Sequence, residues 1–137
     1  MKPIKKEIVL AAPLAKVWEH ITDSKKIAGW LMPNNFEPEI GREFSMTCDE
    51  QGQITCVVKK IIPEQKLVYS FRSTITKVET VVTLTLSKEG KNTRLTLVHS
   101  GWEGLPPDQQ NVPGLFDDGW GGFLKALRQQ LSPTSAK

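Results

Sequence analysis

The hydrophobic pattern of the chain changes period twice. Ile8, Val9 and Leu10 favour extended backbone and complete a first strand, Lys5 to Leu10, which Ala11-Ala12-Pro13 ends. Pro13 suits the first position of a helix, where its missing N–H costs nothing. Leu14, Val17, Trp18 and Ile21 then recur at i, i+3, i+4 and i+7, the stripe of one helix face. Lys16, Glu19 and His20 fall on the other side. Thr22-Asp23-Ser24 ends this helix and caps a short second one, Ser24 to Ala28. Gly29 is expected to stop it, with Trp30-Leu31-Met32-Pro33 following as an apolar loop.

From Glu37 the period becomes two. Phe44, Met46 and Cys48 alternate with Glu43, Ser45 and Thr47. After a turn at Asp49–Gln53, Ile54 to Ile62 reads as the next strand. Pro63-Glu64-Gln65-Lys66 is a second turn, and Leu67 to Ser73 puts Tyr69 and Phe71 on one face. Val78 to Ser87 sets Val82, Leu84 and Leu86 against Thr83, Thr85 and Ser87. Glu89-Gly90-Lys91-Asn92 makes a hairpin turn before Thr93 to Ser100, where Leu95, Leu97 and His99 share a face. Threonines opposite suit a solvated sheet surface. Gly101 to Gly114 is a loop. A last helix of about four turns carries the stripe Phe116, Trp120, Phe123, Leu124, Leu127 and Leu131, with Asp117 and Asp118 at its start and Lys125 and Arg128 nearer its end, as the helix dipole prefers.

Strands grouped together with helices at the ends argue an α+β domain. The last helix must cover its apolar stripe, and the sheet has one apolar face. The simplest packing wraps a curved antiparallel six-stranded sheet around the C-terminal helix, with two short helices between strands 1 and 2. One domain spans 1–131, and 132–137 is expected to fray.

Composition narrows the function classes. A chain of 137 residues suits one domain. The net charge of +3 is spread over short pairs, Lys5-Lys6, Lys25-Lys26 and Lys59-Lys60, so no nucleic-acid-binding element is expected. The first residues lack the apolar core of a signal peptide, and no apolar run spans a bilayer, so a cytoplasmic protein without stable membrane association is expected. In that compartment Cys48 and Cys56 are expected to be free thiols, although pairing of their strands across the Asp49–Gln53 turn would bring them near each other. Two Cys and two His, with His20 far from both thiols, make no zinc signature, and no metal or cofactor is expected.

An ordered set of short motifs then carries a family resemblance. It runs Ala12-Pro13-x-x-x-Val17-Trp18-x-x-x-Thr22-Asp23, Trp30, Phe36-x-Pro38, Gly41-x-x-Phe44, Pro63-x-x-x-Leu67-Val68-Tyr69-Ser70-Phe71, Thr93-Arg94-Leu95-Thr96-Leu97-x-His99-Ser100-Gly101 and Gly119-Trp120-x-x-x-Leu124-x-x-Leu127. In this order and spacing it resembles the Hsp90-ATPase-activator-homologue family of the START/Bet v1-like (SRPBCC) superfamily, over residues 4–131. The resemblance implies a helix-grip fold with a cavity between the sheet and the C-terminal helix. Superfamily members use that cavity for lipids, sterols, polyketides or other apolar molecules, and some are cyclases. The eukaryotic co-chaperones of the family carry a further N-terminal domain that contacts the chaperone. This sequence shows none, so Hsp90 contact is not expected, and a monomer is.

The expected site is therefore apolar: Trp30, Phe44, Met46, Tyr69, Phe71, Leu84, Leu97, His99, Trp102, Trp120 and Leu124. Trp30 and Trp102 stand at element ends, which suits either the rim of a pocket or a plug. Tyr69 offers a hydroxyl that either orients a ligand or reaches solvent. Gly119, Gly121 and Gly122 flank Trp120. They mark a frayed first turn, a close approach to the sheet, or space for a ligand beside the indole. A lone inward His99 is usually a satisfied core residue. With Glu103 four positions on, it is also the candidate for a general base. No phosphate loop, nucleophile elbow or H-E-x-x-H motif accompanies them. Ligand binding is thus the expected function, with two alternatives: a cyclase or hydrolase in the same cavity, or a chaperone-interacting protein as the family resemblance alone implies.

Overall fold

The computed structural model describes residues 3–48, 52–73, 78–105 and 112–131. The tail expected at 132–137, the turn residues at 49–51 and Pro106 and Pro107 lie outside them. The elements follow in the expected order: β1 (Ile4–Leu10), α1 (Leu14–Thr22), α2 (Ser24–Trp30), β2 (Glu43–Cys48), β3 (Gly52–Ile62), β4 (Lys66–Ser73), β5 (Thr80–Glu89), β6 (Asn92–Ser100), a single 3-10 turn at Trp102–Gly104 and α3 (Val112–Gln130).

The six strands form one antiparallel sheet in the order β1-β6-β5-β4-β3-β2. From β2 to β6 each strand pairs with the next in sequence, and β1 pairs with β6, the last strand of the meander. Alternation decides the faces. Val82, Leu84 and Leu86 are buried, as are Leu95, Leu97 and His99, and these face the helices. A bulge at Lys59 shifts the β3–β4 register between Val58 and Lys60, which bends the sheet and adds twist. The backbone N–H of Val57 beside it donates to Ser70 Oγ at 3.0 Å, so the buried Ser70 hydroxyl serves the distorted ladder.

The strand register separates the two cysteines. Cys48 stands opposite Gly52 and Cys56 opposite Phe44, so the two are four positions apart along the ladder, or roughly 13 Å at strand rise. Cys56 is a buried free thiol.

Three helix readings need correction. First, α2 runs through Gly29 to Trp30. A methyl group on Gly29 would lie 2.7 Å from Nε2 of Gln130, the far end of an exposed side chain that donates to the Gly29 carbonyl at 2.6 Å. Second, His20 is buried rather than solvated. It lines an open surface groove together with Gly29, Ala126, Gln129 and Gln130. Its Nδ1 pairs with the Lys16 carbonyl at 2.9 Å. Third, α3 begins at Val112 and has 19 residues, because Pro113 is tolerated in a first helical turn. Gly119, Gly121 and Gly122 are thus mid-helix, not frayed. Nor do they admit the sheet: a methyl on Gly122 would meet nothing within 4 Å, and on Gly119 or Gly121 the nearest atom is 4.0 Å away.

The expected cap is present. Asp23 Oδ1 accepts from the backbone N–H of Lys25 and Lys26 at 2.9 and 3.2 Å and starts α2. No described helix is long and apolar enough to cross a membrane.

Candidate functional site

The expected site residues divide into two groups. At one end of the sheet, Phe44, Met46, Leu67, Tyr69 and Leu84 face Ile21 of α1, Ile27 and Trp30 of α2, and Leu31 and Phe36 of the following segment. Together they line a small pocket. At the other end, Phe71, His99, Trp102 and Trp120 pack with Phe116 as an aromatic cluster. Leu97, opposite Leu84 across β5–β6, and Leu124, one turn beyond Trp120, are buried but line no part of the pocket.

The aromatic cluster packs Phe116 and Trp120 of α3 against the sheet residues Phe71 and His99. The His99 ring lies 4.4 Å from Trp102 and 4.9 Å from Phe71, centroid to centroid. Trp120 is 6.1 Å from His99 and 6.0 Å from Phe123, so the indole has aromatic neighbours where the three glycines had hinted at room for a ligand. Gly101 sets up this end of the sheet. Its φ is +97°, and a methyl on it would come within 3.1 Å of Thr80 Cα. The chain then turns so that Trp102 Nε1 donates to the His99 carbonyl at 2.9 Å.

His99 is wholly buried and fully partnered. Trp120 Nε1 donates to Nδ1 at 3.0 Å, and Nε2 lies 2.7 Å from Thr80 Oγ1. The Thr80 hydroxyl donates to the Phe71 carbonyl at 2.8 Å. Burial pushes the His99 pKa down to about 3. The His99–Glu103 couple is not formed, because both ring nitrogens are taken and Glu103 is exposed on the 3-10 turn. The sequence contained no sign of Thr80, whose hydroxyl completes the relay.

The pocket at the other end is different in kind. Its walls are aliphatic and aromatic, apart from the Tyr69 hydroxyl and the indole N–H of Trp30. Phe36, Phe44 and Tyr69 contact edge to face in sequence, at 4.9 and 5.4 Å. The free space they leave is about 10 Å³, near the room one water needs and far below the roughly 300 Å³ or more of a ligand pocket. None of the lining residues belongs to α3. This nearly closed pocket lies between the sheet and the α1–α2 segment, and among the described residues an open groove also lies between β1 and α3, lined by Lys6, Ile8, Gly121, Leu124 and Arg128. Ile21, Ile27, Leu31, Phe36 and Leu67 had not been singled out. Leu67 was open to the same alternation that marks Tyr69 and Phe71, and Ile21 to the α1 stripe.

The outer wall of the pocket is pinned by hydrogen bonds. Asn34 Oδ1 accepts from Ser24 Oγ and from Phe36 N at 2.8 and 3.0 Å, and its Nδ2 donates to the Ser24 and Met32 carbonyls at 3.1 and 2.9 Å. Trp30 Nε1 donates to the His20 carbonyl at 2.9 Å. Burial raises the Cys56 thiol pKa. It also raises Tyr69 well above the usual phenol range, with the nearby Cys56 adding to the shift, so both groups stay neutral. Among the described residues no group of three His, Cys, Asp or Glu side chains is placed to hold a metal ion.

Comparison with known proteins completes the picture. Protein MLL2253 from Mesorhizobium loti is similar at 30% identity and a TM-score of 0.84, over 93% of this chain and 95% of that one. BH1534 from Bacillus halodurans is similar at 31% identity and a TM-score of 0.80, over 96% and 98%. The Aha1 dimer from Colwellia psychrerythraea shares the fold, with 17% identity and a TM-score of 0.76, over 97% and 98%. No curated protein matches. The sequence profile described as "Activator of Hsp90 ATPase homolog 1-like protein" matches residues 11–132, and with nearly the whole domain covered the chain belongs to that family, with the helix-grip fold of its relatives.

Proposed function

We propose that this protein binds a small, largely apolar molecule in the pocket between the sheet and the α1–α2 segment. The observation that carries this reading is the lining: ten side chains from both walls converge, none of them charged, and only Trp30 and Tyr69 carry a polar N–H or O–H. Proteins of this fold family commonly hold hydrophobic ligands, which supports the reading. The sheet wall is held by ladders along β2 to β5, broken only by the bulge between β3 and β4. The opposite wall is a seven-residue helix and a loop, so entry of a ligand displaces α2 and residues 31–36. A ligand losing about 300 Å² of apolar surface would gain roughly 7 kcal/mol, before association and wall displacement reduce it.

NMR titration of the labelled protein with a panel of lipids, sterols and polyphenols tests this. Shifts are expected at the Trp30 indole, the Met46 methyl and the Tyr69 ring, while the Trp120 indole moves little. A panel that perturbs none of the pocket resonances removes the proposal.

A further inference from the structure

Buried polar side chains in this protein are satisfied almost throughout. His99, Thr80, Thr93, Ser70 and His20 each have a partner within hydrogen-bond distance, and so do the indoles of Trp30, Trp102 and Trp120. Tyr69 is the exception. It is 4% exposed, it lines the pocket, and among the described residues no group donates to or accepts from its hydroxyl. A buried hydroxyl left without a partner costs about 1–3 kcal/mol, and a native fold that retains one invites an explanation.

From this, and resting on the ligand-binding reading above, we infer the chemical class of the ligand: a neutral, mainly aromatic or aliphatic molecule carrying one hydrogen-bond acceptor, such as a ketone, that takes the Tyr69 O–H. The hydroxyl keeps its proton, because its surroundings are apolar and disfavour the phenolate. It is therefore available as a donor. The pocket offers an anion nothing: no lysine, arginine or histidine lines it, and a carboxylate or phosphate would lose its hydration there without a counter-charge. A pure hydrocarbon fits the walls but leaves the hydroxyl as it was. An acceptor on the ligand supplies the missing partner, and specificity built this way discriminates more sharply than shape alone.

Three naphthalenes of similar size separate these cases: 2-acetylnaphthalene, 2-ethylnaphthalene and 2-naphthoate, titrated against the wild-type chain and Tyr69→Phe and followed by NMR. In the wild type the ketone is expected to bind about five- to tenfold more tightly than the hydrocarbon, with the carboxylate weakest. In Tyr69→Phe the advantage of the ketone disappears while the affinity for the hydrocarbon holds. Equal binding of ketone and hydrocarbon by the wild type, a ketone advantage that survives in Tyr69→Phe, or a preference for the carboxylate overturns the assignment and leaves the pocket reading standing. Binding of none of the three overturns both. Thermal unfolding of the free proteins gives a second readout. Tyr69→Phe is expected to melt at or above the wild-type temperature, and a clear drop would mean the hydroxyl is already satisfied in the free protein.

Discussion

Trp120 and His99 determine each other's chemistry. An indole nitrogen can only donate, so its 3.0 Å contact with Nδ1 makes that nitrogen the unprotonated one. The imidazole proton sits on Nε2 and points at Thr80 Oγ1, which passes its own proton toward the Phe71 carbonyl. One tautomer satisfies every member, and a second proton on the ring would have to face the indole N–H.

Stability should therefore depend on pH through His99. Its pKa is held down to about 3 in the fold, against roughly 6.5 in an unfolded chain. Below the higher value the unfolded state takes up a proton that the folded state refuses. The contribution is complete above about pH 6.5 and is lost as pH falls toward 3, at up to about 1.4 kcal/mol per unit. Urea unfolding between about pH 7 and 4 checks this, with His99→Gln as the comparison because carboxylates titrate in both proteins. A steeper acid loss in the wild type is expected, and parallel profiles would refute it.

Trp120→Phe should destabilise by about 2–4 kcal/mol. The change strands Nδ1 of His99 as a buried acceptor and removes part of a packed ring. Denaturant unfolding measures it. A loss under about 0.5 kcal/mol would mean that the indole bond contributes little beyond packing.

Glycine replacements should split by position. Gly122→Ala and Gly114→Ala place a methyl where nothing lies within 4 Å, so each should gain about 1 kcal/mol from helix propensity. Gly101→Ala should lose at least about 1–3 kcal/mol, because it combines a left-handed φ with a 3.1 Å approach to the Thr80 backbone. Melting temperatures that move the same way in all three would contradict this account.

Asn34→Ala should cost about 1–3 kcal/mol and loosen the pocket wall, since one side chain makes four hydrogen bonds across residues 24–36. Hydrogen exchange should quicken at Phe36 N, which loses its acceptor, while the β5–β6 ladder keeps its protection. Unchanged exchange at Phe36 would place the strength of the wall elsewhere.

The sheet was open to reading from residue order alone. Val82-Thr83-Leu84-Thr85-Leu86 alternates without exception, and a period of two assigns each side chain to a face whatever lies opposite. Helix ends were harder to read. Gly29 looks like a stop, yet the helix runs through it and its carbonyl accepts from Gln130, 101 positions later. His20 falls off the α1 stripe and is buried all the same, because a stripe shows which face meets the sheet and not what else shelters the helix. That a pocket lies under α2 was hard to read for the same reason: periodicity states that a face is buried without naming what buries it. Tyr69 and Trp30 could be picked out as residue types, but the absence of a partner for the Tyr69 hydroxyl is a fact of three dimensions.

The seam between β1 and β6 has a kinetic side. It matches positions as distant as Ile4 and His99, whereas each other ladder closes on a strand next in sequence. A meander can zip from its turns, but this last seam must gather nearly the whole chain into one closure, which slows assembly. Until it shuts, the flank of β6 stands open to any extended segment, including β1 of a neighbouring molecule. The hazard for this protein thus lies in the interval before its first strand docks, and crowding of newly made chains is what would turn that interval into exchanged or tangled assemblies.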